Sequence, residues 1–396
     1  MTPRYVMSKP ISATCNLSCD YCYYLEKDRL YNFTSSKQMS ETVLERFVSE
    51  YIAMQPVPEV LFAWHGGEPL LRGIDFYRKA LKFQHYYGRG RKIENTLQTN
   101  GLLLNDEWCR FFKEHNFLIG ISIDGPEHCH DVFRKRKDGS GSFQSVMKGI
   151  ELLKKHGVEF NTLSVIHSYN VDYPLEVYHF LKKIGSGFLQ FAPIVERTSC
   201  QRTGALSLLS AKEDYADAVL TPESVDPVKF GQFYISIFDE WIKYDVGKYF
   251  VQLFDATLAN RHNGQPGVCV LAHTCGNAAA MEFNGDLYAC DHFVFPDYYL
   301  GNIQEQTLLE LMFSEKIRLF GKSKQTSLPT NCLRCDYLHL CHGECPKNRI
   351  VKTDEKGKNL NYLCRGYKAF FKHTAPQIEA MHQLLLQGKA PAEIMR

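Results

Sequence analysis

From residue 5 to about residue 195, short β-rich runs alternate with amphipathic stretches, and this alternation constrains the fold more than anything else in the chain. The runs are Tyr5–Ser12, Val60–Trp64, Glu94–Thr99, Phe117–Ile123, Glu159–Ile166 and Phe188–Pro193. Helical periodicity lies between them, near Glu41–Met54, Asp75–Tyr86, Asn105–Glu114, Phe143–His156 and Pro174–Ile184. Asn105 is placed to cap its helix, with Asp106 and Glu107 in the first turn. Gly157 follows two lysines at a helix end and precedes a strand. Strands alternating with helices predict an α/β fold with a parallel sheet. Six such units permit an open barrel or a doubly wound sheet, and pattern leaves both open.

In either fold, ligands gather beyond the carboxyl ends of the strands. Those positions here carry the Cys15–Cys22 loop, His65-Gly66-Gly67-Glu68-Pro69, Gln98-Thr99-Asn100-Gly101, Ser122-Ile123-Asp124-Gly125-Pro126, the Ser164–His167 region and Gln190. One such motif alone is a tight turn. Their recurrence at one edge of a sheet predicts a ligand-binding end, where glycine lets backbone approach closely.

The chain has 396 residues and a formal net charge of +2, so no general affinity for nucleic acid or an anionic membrane is expected. No run of 18 apolar residues occurs, and the amino terminus has no apolar core of signal-peptide length. A cytoplasmic location follows as the expectation. Fourteen cysteines are unusual there, because reducing conditions disfavour disulfides and point to metal or redox chemistry. Three are clustered at 15, 19 and 22, and eight fall in the last third. Cys109, Cys129 and Cys200 are scattered: Cys109 falls in a helical pattern and the other two in expected loops, and all three read as inert thiols.

Beyond about residue 225 the texture changes. Asp226–Tyr244 has one apolar face, carrying Phe230, Phe233, Ile237, Phe238 and Trp241. The chain after it is rich in loops and cysteine, and it needs metal cross-links to be stable. A boundary is expected within 225–245, giving domains 1–235 and 236–396, the second with a carboxyl-terminal helix.

Iron–sulfur clusters take Cys thiolates, one per iron of a cubane. Cys15-x3-Cys19-x2-Cys22 supplies three, so a [4Fe–4S] cluster held there keeps one iron open for a small molecule. A structural zinc site needs a fourth ligand nearby, for which His65 is the conceivable donor. The spacing after the first strand, with aromatic Tyr21 before the third Cys, resembles the radical S-adenosylmethionine superfamily. That resemblance implies a partial (β/α)6 barrel and S-adenosyl-L-methionine chelated at the open iron, where one electron cleaves it to methionine and a 5′-deoxyadenosyl radical. Gly66, Gly67 and Glu68 are similar to the family's loop for the methionine amino group. Tyr21, Ser122 and Arg134 fall where relatives bind the cofactor, although Arg134, within "FRKRK", equally reads as a surface charge.

The eight late cysteines, densest at Cys332-x2-Cys335-x5-Cys341-x3-Cys345 with Cys364 beyond, suit two four-thiolate sites of zinc or iron–sulfur type. The segment resembles the SPASM extension of peptide-modifying radical enzymes, which holds two auxiliary [4Fe–4S] clusters, making three clusters in all. The resemblance implies Cys269, Cys275, Cys290 and Cys345 for one and Cys332, Cys335, Cys341 and Cys364 for the other. With "CNLSCDYCYYLEK", "LQTNG", "GDLYACDHFVFPDYYLGNI" and "CHGECPKNR", nearly the whole chain resembles the anaerobic sulfatase-maturating enzymes. One departure is His65, where some relatives have Gln.

This implies radical oxidation of a Cys or Ser in a Cys/Ser-x-Pro/Ala-x-Arg motif of a sulfatase polypeptide to Cα-formylglycine. Asp291 matches the family's base, the electron released goes to an auxiliary cluster, and a reduced flavodoxin or ferredoxin is the expected donor. Asp291 also reads as a turn-capping carboxylate, His292 and His342 as packing beside ligands, and Tyr23 and Tyr24 as lining for the cofactor end. Two other classes compete. One is a SPASM maturase forming thioether or carbon–carbon crosslinks, though Cys15 lies too early for the amino-terminal peptide-recognition domain many of those carry. The other is a zinc-binding scaffold without catalysis.

Overall fold

The computed structural model describes residues 3–32 and 36–395; residues 1–2, 33–35 and 396 lie outside them. The six expected strands form and pair in chain order: β1 (Tyr5–Lys9), β2 (Glu59–Trp64), β3 (Lys92–Thr99), β4 (Leu118–Ser122), β5 (Phe160–Ile166) and β6 (Phe188–Pro193). Every pairing among them is parallel. Sequential order sends each crossover the same way round, so the sheet curls with its helices outside. β1 and β6 pair with other strands and not with each other, which leaves the barrel open. Strand order therefore decides between the two architectures that pattern left open. β1 stops at Lys9, short of the expected Ser12, because Pro10 has no N–H to donate and Ser12 turns back onto Lys9 O at 3.1 Å.

The helices are α1 (Glu41–Met54), α2 (Ile74–Gly88), α3 (Asp106–Glu114), α4 (Phe143–Lys155) and α5 (Pro174–Lys183). Asn105 caps α3 by accepting from Trp108 N at 2.9 Å. The buried face of β2, Val60, Phe62 and Trp64, packs on α1 and α2, and Trp64 meets Phe76 at 5.9 Å and Tyr77 at 5.7 Å edge-on. Burying an aromatic of this size contributes roughly 1.5–3 kcal/mol.

The sheet does not end with the barrel. Phe250–Val251 pairs in parallel with β6 as β7. At the other edge Ala278–Glu282, β8, lies parallel to β1 and continues through β9 (Asp286–Tyr288) to β10 (Tyr299–Asn302), both antiparallel. Both edges of the barrel sheet are thus covered by the cysteine-rich half. α6 (Pro227–Tyr244) is capped by Asp226, which accepts from Val228 N and Lys229 N at 2.8 and 2.9 Å. It crosses the final helix, α7 (Cys364–Leu386), at Gly231 and Gly366, where an added Cβ on Gly231 would lie 2.7 Å from Gly366 Cα.

Candidate active site

Alternation along the strands sorts side chains between helices and lumen. On β2 the helix-facing residues are buried, whereas Leu61, Ala63 and, just past the strand, His65 are partly accessible. Lys9 ends β1, and Gln98 and Ser122 lie near the ends of β3 and β4. Gln98 Nε2 donates to Ser122 Oγ at 3.0 Å. A Cβ on Gly120 would come within 2.0 Å of Gln98 Oε1, so glycine makes room for that amide.

Past β1 the chain turns into the three-cysteine loop, and the loop after β2 is laced to it. Gly67 N donates to Ser12 O at 2.7 Å and Glu68 N to Thr14 O at 2.9 Å. Gly66 adopts φ +146°, and a Cβ on Gly67 would stand 2.2 Å from Thr14 O, so the approach needs both glycines. Glu68 is fully buried and accepts from Leu70 N (3.0 Å), Thr99 Oγ1 (2.8 Å) and Asn100 N (2.8 Å). Burial raises its pKa to about 7 against those bonds. Its carboxylate thus joins the loops after β2 and β3.

All fourteen cysteines are free thiols. Burial pushes Cys15 up to about 11 and Cys19 up to about 12, and the charge of Cys22 adds to both, so the three thiols form one group. Leu17 N and Asn100 Nδ2 point at Cys15 sulfur at 3.4 and 3.7 Å. Buried thiols that raise one another's pKa, with N–H donors aimed at sulfur, fit thiolate ligands of a cationic iron–sulfur group.

Asp124, fully buried after β4, gathers the side chains behind this loop. It accepts from Arg134 Nε at 2.9 Å, Tyr21 OH at 2.5 Å and Val165 N at 2.8 Å. Burial, the largest effect, opposes its charge, but Arg134, His167 and His130 with the Arg134 hydrogen bond together outweigh it and lower its pKa. Arg134 is itself buried, its charge acting on Cys19, so the surface-charge reading does not hold.

Asp291 follows Cys290 and reaches the same end of the barrel. Lys9 Nζ pairs with its Oδ1 at 2.5 Å, and Tyr23 OH donates to its Oδ2. Lys9 is fully buried, while the Asp291 side chain keeps 16% exposure, which leaves it reachable. Burial disfavours the carboxylate, yet Lys9, then His65 and His292, hold it well below the usual carboxylate range. Lys9 also lies over the Tyr24 ring at 3.5 Å, and Tyr24 donates to Glu282, the register partner of Lys9 on β8. The motif reading missed Lys9 and Glu282. A lone lysine ending an apolar strand was the available signal. His292 packs on Tyr23 with ring centroids 5.3 Å apart. Beside this end opens a cavity of about 450 Å³ lined by Cys19, Tyr21, Cys22 and Glu196 among others.

The late thiols gather in two places. Burial raises Cys345 well above the ordinary thiol range, and Glu344, Cys290, Cys275 and Cys269 act on it in turn. Burial likewise raises Cys332, Cys341 and Cys364, with Cys364 and Cys335 acting on Cys332, Cys364 and Cys332 on Cys341, and Cys335 on Cys364. Buried Lys324 and Arg349 lie among them; Lys324 Nζ donates to Cys269 O and Val270 O at 2.7 and 2.9 Å. Cys109 is buried in α3. Cys129 is buried in a one-turn helix, Glu127–His130, where a loop was expected. Cys200 is exposed and donates to Asp217 Oδ2 at 2.7 Å.

Residues 10–181 match the radical SAM superfamily, and residues 269–336 match the SPASM iron–sulfur cluster-binding domain. The chain is 54% identical over 396 residues to a serine-type anaerobic sulfatase-maturating enzyme of Bacteroides thetaiotaomicron, covering 100% of this chain and 95% of that one. It is 32% identical over 382 residues to a cysteine-type enzyme of Clostridium perfringens, covering 96% and 98%. The solved structure of anSMEcpe with bound AdoMet and Cp18Cys peptide superposes with TM-score 0.84 at 31% identity, covering 97% of this chain and 100% of that one. SuiB of Streptococcus suis bound to S-adenosylmethionine shares the fold, with TM-score 0.60 at 16% identity over 92% of this chain and 77% of that one. With relatives of this similarity along its whole length, the chain belongs to the anaerobic sulfatase-maturating enzymes of the radical SAM superfamily.

Proposed function

We propose that this enzyme oxidises an active-site Cys or Ser of a sulfatase polypeptide to Cα-formylglycine without oxygen. The observation that carries the reading is a convergence at one end of the barrel. The three-thiol loop comes from the amino-terminal half, and a charged carboxylate, Asp291, comes from the cysteine-rich half. Cys15, Cys19 and Cys22 would hold a [4Fe–4S] cluster, which together with S-adenosyl-L-methionine would supply the radical chemistry that oxidises the substrate Cβ. Tyr21, Gly66, Gly67, Glu68, Ser122 and Arg134 would line the cofactor's site, Glu68 also tying the loops after β2 and β3 together.

Asp291 takes the proton from the substrate thiol or hydroxyl. Its low basicity suffices, because removing an electron from the carbon radical leaves a protonated carbonyl or thiocarbonyl, which is strongly acidic. Lys9 and Tyr23 orient the carboxylate, and Lys9 keeps it ionised. Cys269, Cys275, Cys290 and Cys345, and Cys332, Cys335, Cys341 and Cys364, hold two further [4Fe–4S] clusters. With four thiolates each, such clusters would be fully ligated by protein and would suit uptake of the released electron. Partners are the sulfatase segment and a reduced flavodoxin or ferredoxin. Among the described residues no helix is long and apolar enough to cross a membrane.

The test is anaerobic incubation of the iron-loaded enzyme with S-adenosylmethionine, a reductant and paired Cys- and Ser-type sulfatase peptides. Aldehyde trapping and mass are read together. An aldehyde at the target residue is expected. Accumulation of 5′-deoxyadenosine with both peptides unmodified, or an intrapeptide crosslink in place of the aldehyde, would refute the reading. A colourless protein holding zinc and no iron would remove any radical chemistry.

A further inference from the structure

Two buried cations, Lys324 and Arg349, lie among the late thiols with no carboxylate bonded to either. A guanidinium has five N–H donors and keeps its charge in proteins. In Arg349 all five are used. Nε donates to Gly343 O at 3.0 Å, Nη1 to Lys324 O and Ser327 Oγ at 2.6 and 3.0 Å, and Nη2 to His342 O and Glu344 O at 3.1 and 3.3 Å. Three of those carbonyls belong to consecutive residues in left-handed backbone, His342, Gly343 and Glu344, at φ +48°, +72° and +52°. That conformation is uncommon for His and Glu, so the turn is held by what it surrounds. It joins Cys341 to Cys345, which fall in different thiol groups. Burial lowers the Arg349 pKa, and Cys332 from one group, then Glu344, then Cys345 and Cys275 from the other, oppose that. Lys324 lies one turn beyond Gly321 in the helix Glu315–Thr326. Gly321 O accepts from Cys275 N at 3.1 Å, and a Cβ on Gly321 would stand 2.5 Å from Cys275 O. The helix thus delivers the Lys324 ammonium to Cys269 O and Val270 O, at 2.7 and 2.9 Å. Glu344 is the buried acid beside both cations, but its Oε2 accepts from Asn348 and Asn361 Nδ2, at 3.2 and 2.5 Å, and burial raises its pKa. Buried charge is costly unless it is answered by an opposite charge, and the thiolate groups are what remains to answer it.

We propose that Lys324 and Arg349 are fixed counter-charges that set the reduction potentials of the two late clusters: Lys324 for the one on Cys269, Cys275, Cys290 and Cys345, and Arg349 for both. The inference rests on the clusters assigned above and deepens their part in electron uptake. Reduction adds one electron, and so one negative charge, to a cluster already carrying four thiolates. A fixed positive charge in a dry site favours the reduced form and holds the potential up. That suits a site which must accept an electron from the substrate. Neither residue touches substrate, and both act through the clusters. A merely structural clamp needs their hydrogen bonds, whereas this role needs their charge.

The experiment follows reduction of the iron-loaded enzyme by electron paramagnetic resonance at controlled potential, in wild type, Lys324→Gln, Arg349→Lys and Arg349→Gln. The signal that responds to S-adenosylmethionine serves as internal reference, and the other two are followed. Gln keeps donors without charge, whereas Lys at 349 keeps the charge with a poorer fork. In Lys324→Gln the ratio of reduced to oxidised cluster at the wild-type midpoint should fall about tenfold for one late signal, which for one electron is about 59 mV. Arg349→Gln should lower both late signals to that extent, and Arg349→Lys should keep both within about threefold. The reference signal should stay in place throughout. Late midpoints unchanged in Lys324→Gln, or moved alike by Arg349→Lys and Arg349→Gln, overturn the assignment. Should Arg349→Gln fail to take up iron, Lys324→Gln decides alone. Midpoints that move as expected in an enzyme making no aldehyde would refute the oxidation and leave the counter-charges standing. A wild type loading about four irons in place of about twelve would remove the late clusters, and this role with them.

Discussion

Asp291 and Lys9 form a pair whose members have different duties. Asp291→Asn removes the acceptor and leaves the cysteines untouched. Formylglycine yield should fall by about 10² or more, while iron content and peptide-free 5′-deoxyadenosine formation persist. A variant with wild-type yield would strip Asp291 of its role as base. Lys9→Met leaves a largely buried carboxylate without its counter-charge, and the loss of one partner in such a pair costs about 3 kcal/mol or more. A lowered melting temperature together with reduced turnover is expected, and unchanged melting would show that the 2.5 Å contact contributes little. Asp291 stood out as a candidate base from "CDHF" beside Cys290. Its partner did not, because Lys9 and Asp291 meet only after β8 docks on β1.

Two close backbone approaches decide how the elements assemble. Gly67→Ala would put a methyl carbon 2.2 Å from Thr14 O, a backbone atom that cannot swing aside. The variant should keep its iron at the late cysteines and lose affinity for S-adenosylmethionine, measured by equilibrium binding. Unaltered affinity would dissociate the glycine loop from the cofactor. At the crossing of α6 and α7, Gly231→Ala forces the helices apart, and overpacking of this kind costs about 1–3 kcal/mol. Thermal unfolding reports it, and activity per folded molecule should hardly change. The helices themselves were readable from periodicity, as over Asp226–Tyr244, and from the cap at Asn105. The crossing was not, since neither glycine lies in a motif and only the packed pair shows why a side chain is excluded.

Across the whole molecule the two halves share one sheet and one polar network. β8 extends the barrel sheet from β1, and Glu196, past the end of β6, pairs with Lys347 two residues after Cys345. Cys345 sits in sequence with the second late group and in space with Cys269, Cys275 and Cys290. Cys345→Ala should therefore cost about four of about twelve irons. The thiols at 332, 335, 341 and 364 would keep their cluster signature in Mössbauer spectra. Loss of the 332–364 signature instead would reverse the assignment. Iron chelation should unfold the cysteine-rich half first, read by limited proteolysis, because that half depends on its metal cross-links.

The order of strands and helices, the ligand-binding end of the sheet and the three-thiol loop were all written locally. Each depends on residues within a few positions of one another, so periodicity, caps and spacing carried them. Periodicity and spacing could not decide, and tertiary structure did, that the sheet curls into an open barrel, that Arg134 is buried against Asp124, and that Lys9 faces Asp291. The physical reason is common to all three. Each is a pairing beyond the reach of helix or strand periodicity, from ten residues apart for Arg134 and Asp124 to most of the chain for Lys9 and Asp291, and a charge or strand edge finds its partner only when the chain has brought the two together.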